Sequence, residues 1–353
     1  MNVDSYYKQA RGYAYEEALL HSMNASLTLS TSQTEDSIIE ACRGAHIVLV
    51  EHPHTPINRR VIERLGTCRL IAKYSIGLDN IDLSAATEQG IVVCHAPRFC
   101  IEEVSDHAVA LLLGLARRVV FLDRRAHEGP GPNPALEPPM RRLNTQTVGF
   151  LGFGRIARQV AHKLRAFGIR MLCFDPYIGK DESARHGVEF VDLDTILRSS
   201  DFLSIHAPLT PGTEHIIGMS QLQAMKRTAW IVNTSRGQLV DEAALTIALS
   251  DGTIAGAALD VTEVEPLPRS SALLGMPNVI LTSHHAALSV ESLKELRTTI
   301  AASLEAVCKG YWPDFVANPS VKPRVPLKAW AQFAVLPDRL VRGEADPGLQ
   351  AYA

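Results

Sequence analysis

The sequence lacks the features that mark membrane, secreted and nucleic-acid-binding proteins. Its longest apolar run is nine residues, Ala108–Ala116, whereas a transmembrane helix needs about 20. The 6 cysteines form no C-x-x-C pair, which favours a reducing compartment over a disulfide or zinc framework, and no metal site is expected. Basic and acidic residues number 35 and 38 and neither half is strongly basic, so we expect no nucleic-acid partner. The polar amino-terminal residues predict no export signal, no membrane partner and a cytoplasmic location.

The pattern that is present is typical of an α/β protein. At about 150 residues per domain, 353 residues predict two domains. Short β-branched runs alternate with helical stretches, which indicates parallel sheets covered by helices. Three helix–strand steps occupy the first hundred residues, a helix is predicted from about Glu102 to Val120, and five more steps begin at Thr147.

Two proline-rich segments interrupt this pattern. Glu128–Pro139 holds five prolines in twelve residues, which predicts an irregular connector. From about Asn318 the chain is again rich in proline and lacks sustained periodicity. We expect this tail to be an extension lying on the surface.

The most specific motif is a glycine-rich turn between a predicted strand and a predicted helix. It is a G-x-G-x-x-A sequence, Gly152-Phe153-Gly154-Arg155-Ile156-Ala157. The first glycine permits the tight turn, the second lets the backbone approach a pyrophosphate, and the first helical residues offer N–H groups to the phosphates. The next strand ends in Asp175, 23 residues after Gly152. An acid at this point binds the adenosine ribose hydroxyls and repels a 2′-phosphate, so the motif predicts NAD as cofactor.

Polar side chains follow three later strands. Arg236 comes just after one strand, Glu265 after the next, and the doublet His284-His285 after the third. Because the carboxyl ends of parallel strands meet at one edge of a sheet, these side chains are candidates to converge beside the nicotinamide. Each of them taken singly also fits a structural role, so the prediction depends on their combination.

With its motifs in this order, the sequence resembles the D-isomer-specific 2-hydroxyacid dehydrogenases, which include D-lactate, phosphoglycerate, glyoxylate and hydroxypyruvate reductases. The resemblance covers roughly residues 40–317. The matching motifs are Gly152–Ala157 with Asp175, His206–Thr213, Asn233–Asp241, Ala258–Val261 with Glu265, Thr282–His284 and, on the substrate side, Tyr74–Asp82 and Glu102–Ala108.

The resemblance implies two doubly wound parallel-sheet domains. A Rossmann NAD-binding domain (103–287) would be inserted in a flavodoxin-like substrate domain (1–102 and 288–317), and the extension 318–353 has no counterpart that we can place. The resemblance also implies a homodimer. Two further departures from the family are the missing long first strand and the proline-rich connector, which replaces a more regular segment that often contributes to the dimer.

The resemblance assigns the catalytic roles as well. Arg236, Glu265 and His284 fall on the catalytic arginine, glutamate and histidine of the family, and the family pattern T-[PS]-H-x-A selects His284 over His285. Reducing a 2-keto acid needs a proton for the developing alkoxide, which a histidine supplies well near neutral pH. A neighbouring carboxylate stabilises the imidazolium. A guanidinium binds the substrate carboxylate and polarises the keto oxygen.

Further binding residues also follow from the resemblance. Backbone N–H groups of Ser75, Ile76 and Gly77 would hold the other oxygen of the substrate carboxylate. The residues implied near the cofactor are Thr234 and Asp260 at the nicotinamide, and His206, Pro208 and Thr213 at the adenosine.

The loop after the first clear strand bears on the substrate class. It carries His52 and His54 at alternate positions, which point the same way on an extended loop, and Arg98 is expected at the edge of the same domain face. In the family this loop faces the distal end of the substrate, so these residues favour a keto acid with a second anionic group, such as a carboxylate, phosphate or phosphonate. The alternative is that both histidines are ordinary loop residues and Arg98 is solvated.

We therefore expect NAD-dependent reduction of a small 2-keto acid to the D-2-hydroxy acid, and the reverse reaction. Two alternatives stay open. An NAD-sensing corepressor or scaffold protein of the same fold can retain all three catalytic residues. A formate dehydrogenase needs no proton donor, and the resemblance would then call for glutamine where this chain has Glu265.

Overall fold

A computed structural model describes residues 13–52, 54–129, 136 and 138–329. The chain divides into two compact units. The first comprises the described residues up to Phe99 together with those from Ser289 onward, and the second comprises Cys100–Leu288.

Strands and helices alternate along most of the described chain. The strands are β1 Ile47–Val50, β2 Leu70–Lys73, β3 Val92–His95, β4 Thr147–Leu151, β5 Arg170–Phe174, β6 Glu189–Phe190, β7 Phe202–Ile205, β8 Trp230–Asn233, β9 Gly256–Leu259 and β10 Val279–Leu281. The helices are α1 Ala14–Ser22, α2 Glu35–Ala41, α3 Arg59–Ile62, α4 Leu83–Glu88, α5 Ile101–Ala116, α6 Val119–His127, α7 Arg155–Leu164, α8 Lys180–Arg185, α9 Leu193–Ser199, α10 Met219–Ala224, α11 Glu242–Ser250 and α12 Val290–Cys308.

The first unit is built on a parallel sheet in the order β1-β2-β3. Its helices begin where a polar side chain caps the first turn: Thr34, Asn58 and Asp82 accept backbone N–H groups at the starts of α2, α3 and α4. Such caps satisfy N–H groups that have no partner within the helix. The long helix α12 packs against β2 and β3. Among the described residues, the three strands lie in the sheet in the same order as in the sequence, so the strand order does not reverse in this sheet.

The second unit contains a seven-stranded parallel sheet in the order β10-β9-β8-β7-β4-β5-β6. Strands β4, β7, β8 and β9 are buried along their whole length, because helices cover both faces of a parallel sheet. The strand order reverses between β4 and β7, and ligands of open α/β sheets bind beside such a reversal. The predicted α/β class with parallel sheets is confirmed.

The prediction of one helix from Glu102 to Val120 is wrong at its end. Helix α5 ends at Ala116, and a second helix, α6, begins at Val119. Between them Arg118 adopts a left-handed conformation with φ +56°, and its guanidinium lies over the ring of Trp230, 4.0 Å from the centroid. No glycine or proline marks the break in the sequence, so periodicity alone did not reveal it.

The chain after residue 317 is more than a surface extension, as far as it is described. The side chain of Asn318 accepts the N–H of Val93 at 2.9 Å and donates to the carbonyl of Ile91 at 2.9 Å. The guanidinium of Arg324 donates to the carbonyls of Leu65 and Gly66 at 2.6 and 2.8 Å. Hydrogen bonds that range from buried at Asn318 to exposed at Arg324 therefore bind this segment to the rest of the first unit.

Most of the predicted irregular connector, residues 130–135 and 137, lies outside the described residues. Within the part of the chain that is described, no helix is both long and apolar enough to cross a membrane.

Candidate active site

The three predicted catalytic residues of the second unit follow three neighbouring strands. Arg236 comes three residues after β8, Glu265 six residues after β9 and His284 three residues after β10. These strands lie side by side and run parallel. Their carboxyl ends therefore deliver the three residues to the same edge of the sheet.

His284 and Glu265 are in direct contact. Nδ1 of His284 lies 2.7 Å from Oε2 of Glu265, and both side chains are partly buried. The other carboxylate oxygen accepts the backbone N–H of Thr262 at 3.1 Å. Nε2 of His284 has no hydrogen-bond partner among the described residues, so this nitrogen is available to exchange a proton with a ligand.

Asp260 holds the turn that presents His284. Its backbone carbonyl accepts the N–H of His284 at 2.7 Å. Its carboxylate accepts the N–H groups of His285 and Ala286, both at 3.0 Å, and the hydroxyl of Thr282 at 2.6 Å. These bonds stabilise a left-handed conformation at His284, φ +55°, which costs an L-residue about 1–2 kcal/mol.

The second histidine of the doublet has a different neighbour. Nδ1 of His285 lies 3.1 Å from the hydroxyl of Ser283. The two histidines therefore differ in their described contacts: the ring of His284 is hydrogen-bonded to the carboxylate of Glu265, and the ring of His285 to the hydroxyl of Ser283.

The loop of Arg236 is packed against the loop that carries Glu265. A Cβ atom placed on Gly237 would lie 2.0 Å from the carbonyl carbon of Thr262, so only glycine permits this approach. The carbonyl of Arg236 accepts the side-chain N–H of Asn233 at 2.8 Å, and its guanidinium donates to the carbonyl of Ser235 at 2.8 Å. Close packing therefore fixes the positions of these two loops relative to each other.

The glycine-rich turn lies at the reversal of strand order, between β4 and β7. Gly152 has φ +85°, and a Cβ on it would lie 2.7 Å from the backbone N of Ala207. The space around Gly154 is open, while Ala157 is buried where α7 meets the sheet. Helix α7 begins at Arg155, followed by Ile156, and no side chain caps its first turn at Gly154. These features fit a dinucleotide, because its phosphates need open space in which to come close to backbone N–H groups.

Two further observations at this edge fit a bound cofactor. Thr234 Oγ1 is buried and has no hydrogen-bond partner among the described residues. Buried polar atoms are rarely left without a partner, so a ligand near the end of β8 would satisfy it. Asp175 ends up beside the glycine-rich turn, where it accepts the N–H of Phe153.

The predicted adenosine residues form a compact turn after β7. The hydroxyl of Thr213 donates to the carbonyl of Pro208 at 2.7 Å. The ring of His206 lies with Nε2 2.8 Å from Oγ of Ser204, and burial lowers the pKa of His206 to about 4. His206 is therefore neutral at physiological pH, and its contact with a ligand would be a neutral one.

The predicted substrate residues Ser75, Ile76 and Gly77 belong to the first unit. They follow β2, and the hydroxyl of Ser75 donates to the carbonyl of Gly77 at 2.7 Å. Within the described chain, none of the three backbone N–H groups donates to another protein atom. Three such groups on consecutive residues are a feature of anion-binding loops.

The histidine loop of the first unit rests on a buried cation. The rings of His52 and His54 are in edge-to-face contact, with centroids 5.4 Å apart. The ammonium of Lys73, which is 1% exposed, donates to the backbone carbonyl of His52 at 2.9 Å. Arg98 lies over the ring of Phe315, 5.6 Å from its centroid. No contact of Arg98 with these histidines is found among the described residues.

One matching motif lies in a different unit from the one expected. Glu102–Ala108, expected on the substrate side, lies on α5, in the second unit. There Nε2 of His107 contacts the hydroxyl of Thr282 at 3.0 Å. The position of His107 near the start of a long amphipathic helix gave no sign of this contact, which depends on how α5 packs against the sheet.

Comparison with known proteins places this architecture. The profile described as "D-isomer specific 2-hydroxyacid dehydrogenase, NAD binding domain" matches residues 109–286. A glyoxylate reductase from Korarchaeum cryptofilum is 43% identical over 269 residues, which cover 75% of this chain and 81% of that enzyme. A D-3-phosphoglycerate dehydrogenase from Methanocaldococcus jannaschii is 36% identical over 88% of this chain, which spans 59% of that relative.

A solved structure gives the same result. The D-lactate dehydrogenase from Aquifex aeolicus, determined with NAD and lactic acid, has a TM-score of 0.76 and 29% identity, covering 84% of this chain and 92% of that one. The prediction of NAD as cofactor is confirmed by these similarities. The individual cofactor contacts inferred from the motifs stay predictions.

Proposed function

Because the chain belongs to the D-isomer-specific 2-hydroxyacid dehydrogenase family, we propose that it reduces a small 2-keto acid to the D-2-hydroxy acid with NADH, and catalyses the reverse reaction. The observation that carries the proposal is the contact between His284 and Glu265, 2.7 Å long, at the edge of the sheet where Arg236 also lies. An acid–base histidine, its carboxylate and a permanent cation are the three groups this chemistry needs.

The proposed mechanism divides the work among these residues. When bound, the nicotinamide supplies the hydride. Arg236 binds the carboxylate of the substrate and polarises the keto oxygen. His284 donates a proton from Nε2 to that oxygen as negative charge develops on it. Glu265 holds the ring through Nδ1 and stabilises the imidazolium before the transfer.

The contact between Glu265 and His284 favours keto-acid reduction over formate oxidation. Formate oxidation releases no alkoxide, so it has no use for a protonated histidine held by a carboxylate. The corepressor alternative is not favoured by any specific feature of the described chain.

We further propose that the substrate carries a second anionic group. The support is the histidine loop, in which the rings of His52 and His54 contact each other and the backbone carbonyl of His52 accepts from the buried ammonium of Lys73. When protonated, the two histidines would form charge-assisted hydrogen bonds with a second carboxylate, phosphate or phosphonate. Binding of the substrate by Ser75, Ile76 and Gly77 stays a prediction.

We propose a homodimer in a reducing compartment, the cytoplasm. No residue of α6 is buried in the single chain, and Val119 and Leu122 are 56% and 38% exposed. A second copy would cover this apolar surface. Sedimentation of the wild type and of Leu122→Arg tests the dimer, which the added charge should weaken.

The reducing compartment is supported by the cysteines. All 6 are free, as expected where thiols stay reduced.

The test of the proposed activity is a turnover assay with a panel of keto acids. The purified protein is mixed with NADH and glyoxylate, pyruvate, hydroxypyruvate or phosphohydroxypyruvate, and the loss of NADH absorbance is followed. We expect turnover of at least one keto acid and its loss in His284→Ala. Absence of turnover with the whole panel, while NADH still binds, would refute the proposal.

A further inference from the structure

The turn at His284 is held by a series of hydrogen bonds that runs through His107, Thr282 and Asp260. The roles assigned so far do not explain this series. Nε2 of His107, on α5, lies 3.0 Å from Oγ1 of Thr282. The same hydroxyl lies 2.6 Å from Oδ1 of Asp260. The side chain of His107 is 25% exposed and that of Asp260 only 1%, so the chain runs from a partly accessible helix surface into the interior.

The direction of the hydrogen bonds follows from the atoms involved. A hydroxyl has one proton to donate and can accept as well. Thr282 donates its proton to the Asp260 carboxylate, which also accepts the backbone N–H of His285 through the same oxygen. Toward His107 the hydroxyl must then accept, so Nε2 of His107 carries a proton. The order is therefore His107 to Thr282 to Asp260.

Asp260 connects Thr282 to the turn that carries His284. One carboxylate oxygen accepts from Thr282 and His285, and the other accepts from Ala286 at 3.0 Å. These bonds enclose the left-handed turn at His284, whose ring contacts Glu265. If the carboxylate rotates, the bonds to the turn lengthen and the ring moves away from Glu265. The hydroxyl of Thr282 and the imidazole of His107 oppose that rotation.

We propose that His107 and Thr282 are positioning residues for the reaction at His284. The proposal rests on the proposed function, since it concerns the proton donor of that reaction. In this proposal neither residue contacts the substrate. They act through Asp260, because they fix the orientation of the carboxylate that accepts hydrogen bonds from the turn at His284. A displacement of about 1 Å at a reacting group can lower the rate about 100-fold, so this support should be visible in kcat.

Four variants separate the hydrogen bonds from side-chain volume. Thr282→Val removes the hydroxyl at nearly constant shape, and Thr282→Ser restores it. His107→Phe removes the donor while keeping a ring, and His107→Gln supplies an amide N–H in its place. His162→Phe, at an exposed position of α7, is the control for exchanging a histidine for phenylalanine. For each variant kcat, KM for the keto acid, the NADH dissociation constant and the melting temperature are measured.

We expect Thr282→Val and His107→Phe to lower kcat about 10- to 100-fold, with NADH affinity unchanged within about twofold. Thr282→Ser and His107→Gln should recover most of the loss. In a His284→Ala background neither Thr282→Val nor His107→Phe should lower kcat further, because the residue they position is gone. If Thr282→Val does not fold, His107→Phe decides the question.

Three results of these kinetic and binding measurements would overturn the proposal: wild-type kcat in both Thr282→Val and His107→Phe, a loss that persists in the His284→Ala background, or a loss that comes with weaker NADH binding. The last result would mean that the hydrogen bonds from His107 through Thr282 to Asp260 position the cofactor and not His284.

A readout that needs no turnover separates this proposal from the proposed function. A proton between Nδ1 of His284 and Glu265 should give a far-downfield resonance in the NMR spectrum, absent in Glu265→Gln. We expect it in the wild type and Thr282→Ser, and its loss or broadening in Thr282→Val. An unchanged resonance in Thr282→Val would overturn the proposal even if no keto acid is turned over.

Discussion

Asp175 accepts the backbone N–H of Phe153 at 2.8 Å, so a carboxylate at the end of β5 is held against the glycine-rich turn. Its other oxygen accepts the N–H of Tyr177 at 2.9 Å. These two bonds place a negative charge in a defined position before any cofactor binds. Each oxygen retains a lone pair, with which it can accept a ribose hydroxyl.

The first prediction concerns the choice of cofactor. Because the fixed charge of Asp175 repels a 2′-phosphate, NADH should exceed NADPH about tenfold or more in kcat/KM. Asp175→Ala should reduce that preference, whereas Asp181→Ala, at an exposed acid on α8, should leave it unchanged. Steady-state kinetics with both cofactors measure the ratio. Equal rates in the wild type would contradict the role of Asp175.

The second prediction distinguishes the two adjacent histidines. His284→Ala should lower kcat about 10²–10⁴-fold, the usual effect of losing a general acid, while NADH still binds. His285→Ala, which removes a ring beside Ser283, should have a mild effect by comparison. The kcat of each variant and NADH titrations measure this. The reverse ranking would show that the other histidine is the proton donor.

The third prediction concerns the pH dependence of reduction. Glu265→Gln keeps the shape of the side chain but removes the charge beside the His284 imidazolium. The protonated form is then less stable, so the rate should begin to fall at lower pH than in the wild type. Profiles of kcat against pH for both proteins measure the shift. An alkaline limb that stays in place would mean that Glu265 only orients the ring.

The fourth prediction concerns stability at low pH. Burial lowers the pKa of His206 to about 4, whereas the unfolded chain binds this proton near pH 6.5. Between these values the unfolded state holds more protons, so the free energy of unfolding decreases as the pH falls. Over this window the wild type should lose up to about 3 kcal/mol more than His206→Asn. Urea denaturation at several pH values measures the difference, and parallel curves would contradict it.

The fifth prediction concerns the substrate. If the histidine loop binds a second anionic group, oxaloacetate, phosphonopyruvate or phosphohydroxypyruvate should exceed pyruvate about tenfold or more in kcat/KM at fixed NADH. The advantage should decrease in His54→Ala and as the pH rises past the ordinary range of histidine. His46→Ala, in the turn before β1, is the control. Equal or better turnover of pyruvate would leave a reductase without this preference.

The sequence was informative where spacing determines geometry. Residues placed just after consecutive strands reach one edge of a parallel sheet, which is why Arg236, Glu265 and His284 were predicted to approach each other. The doublet could be aligned only through the family pattern, because the two neighbouring histidines differ by a single residue in their spacing from β10. That His284 is the proton donor remains to be tested by the variants above.

The sequence was uninformative where side chains from distant segments meet. The contact between His107 and Thr282 spans 175 residues and depends on the packing of α5. The break at Arg118 has no glycine or proline, and its cation over Trp230 is a tertiary contact. Arg98 is predicted at the edge of the domain face that carries the histidine loop, and nothing in the sequence indicated the contact between its guanidinium and Phe315. Contacts of this kind leave no local periodicity to detect.

The first unit is assembled from two distant parts of the chain, and this affects its synthesis. Strands β1–β3 leave the ribosome about 190 residues before the segment that begins at Ser289. At about 5–20 residues per second, the delay is roughly 10–40 s. Until then the backbone of Val93 lacks the side chain of Asn318 that it contacts in the finished protein. The second unit, continuous in sequence, is complete before the first, so we expect it to fold first on the ribosome.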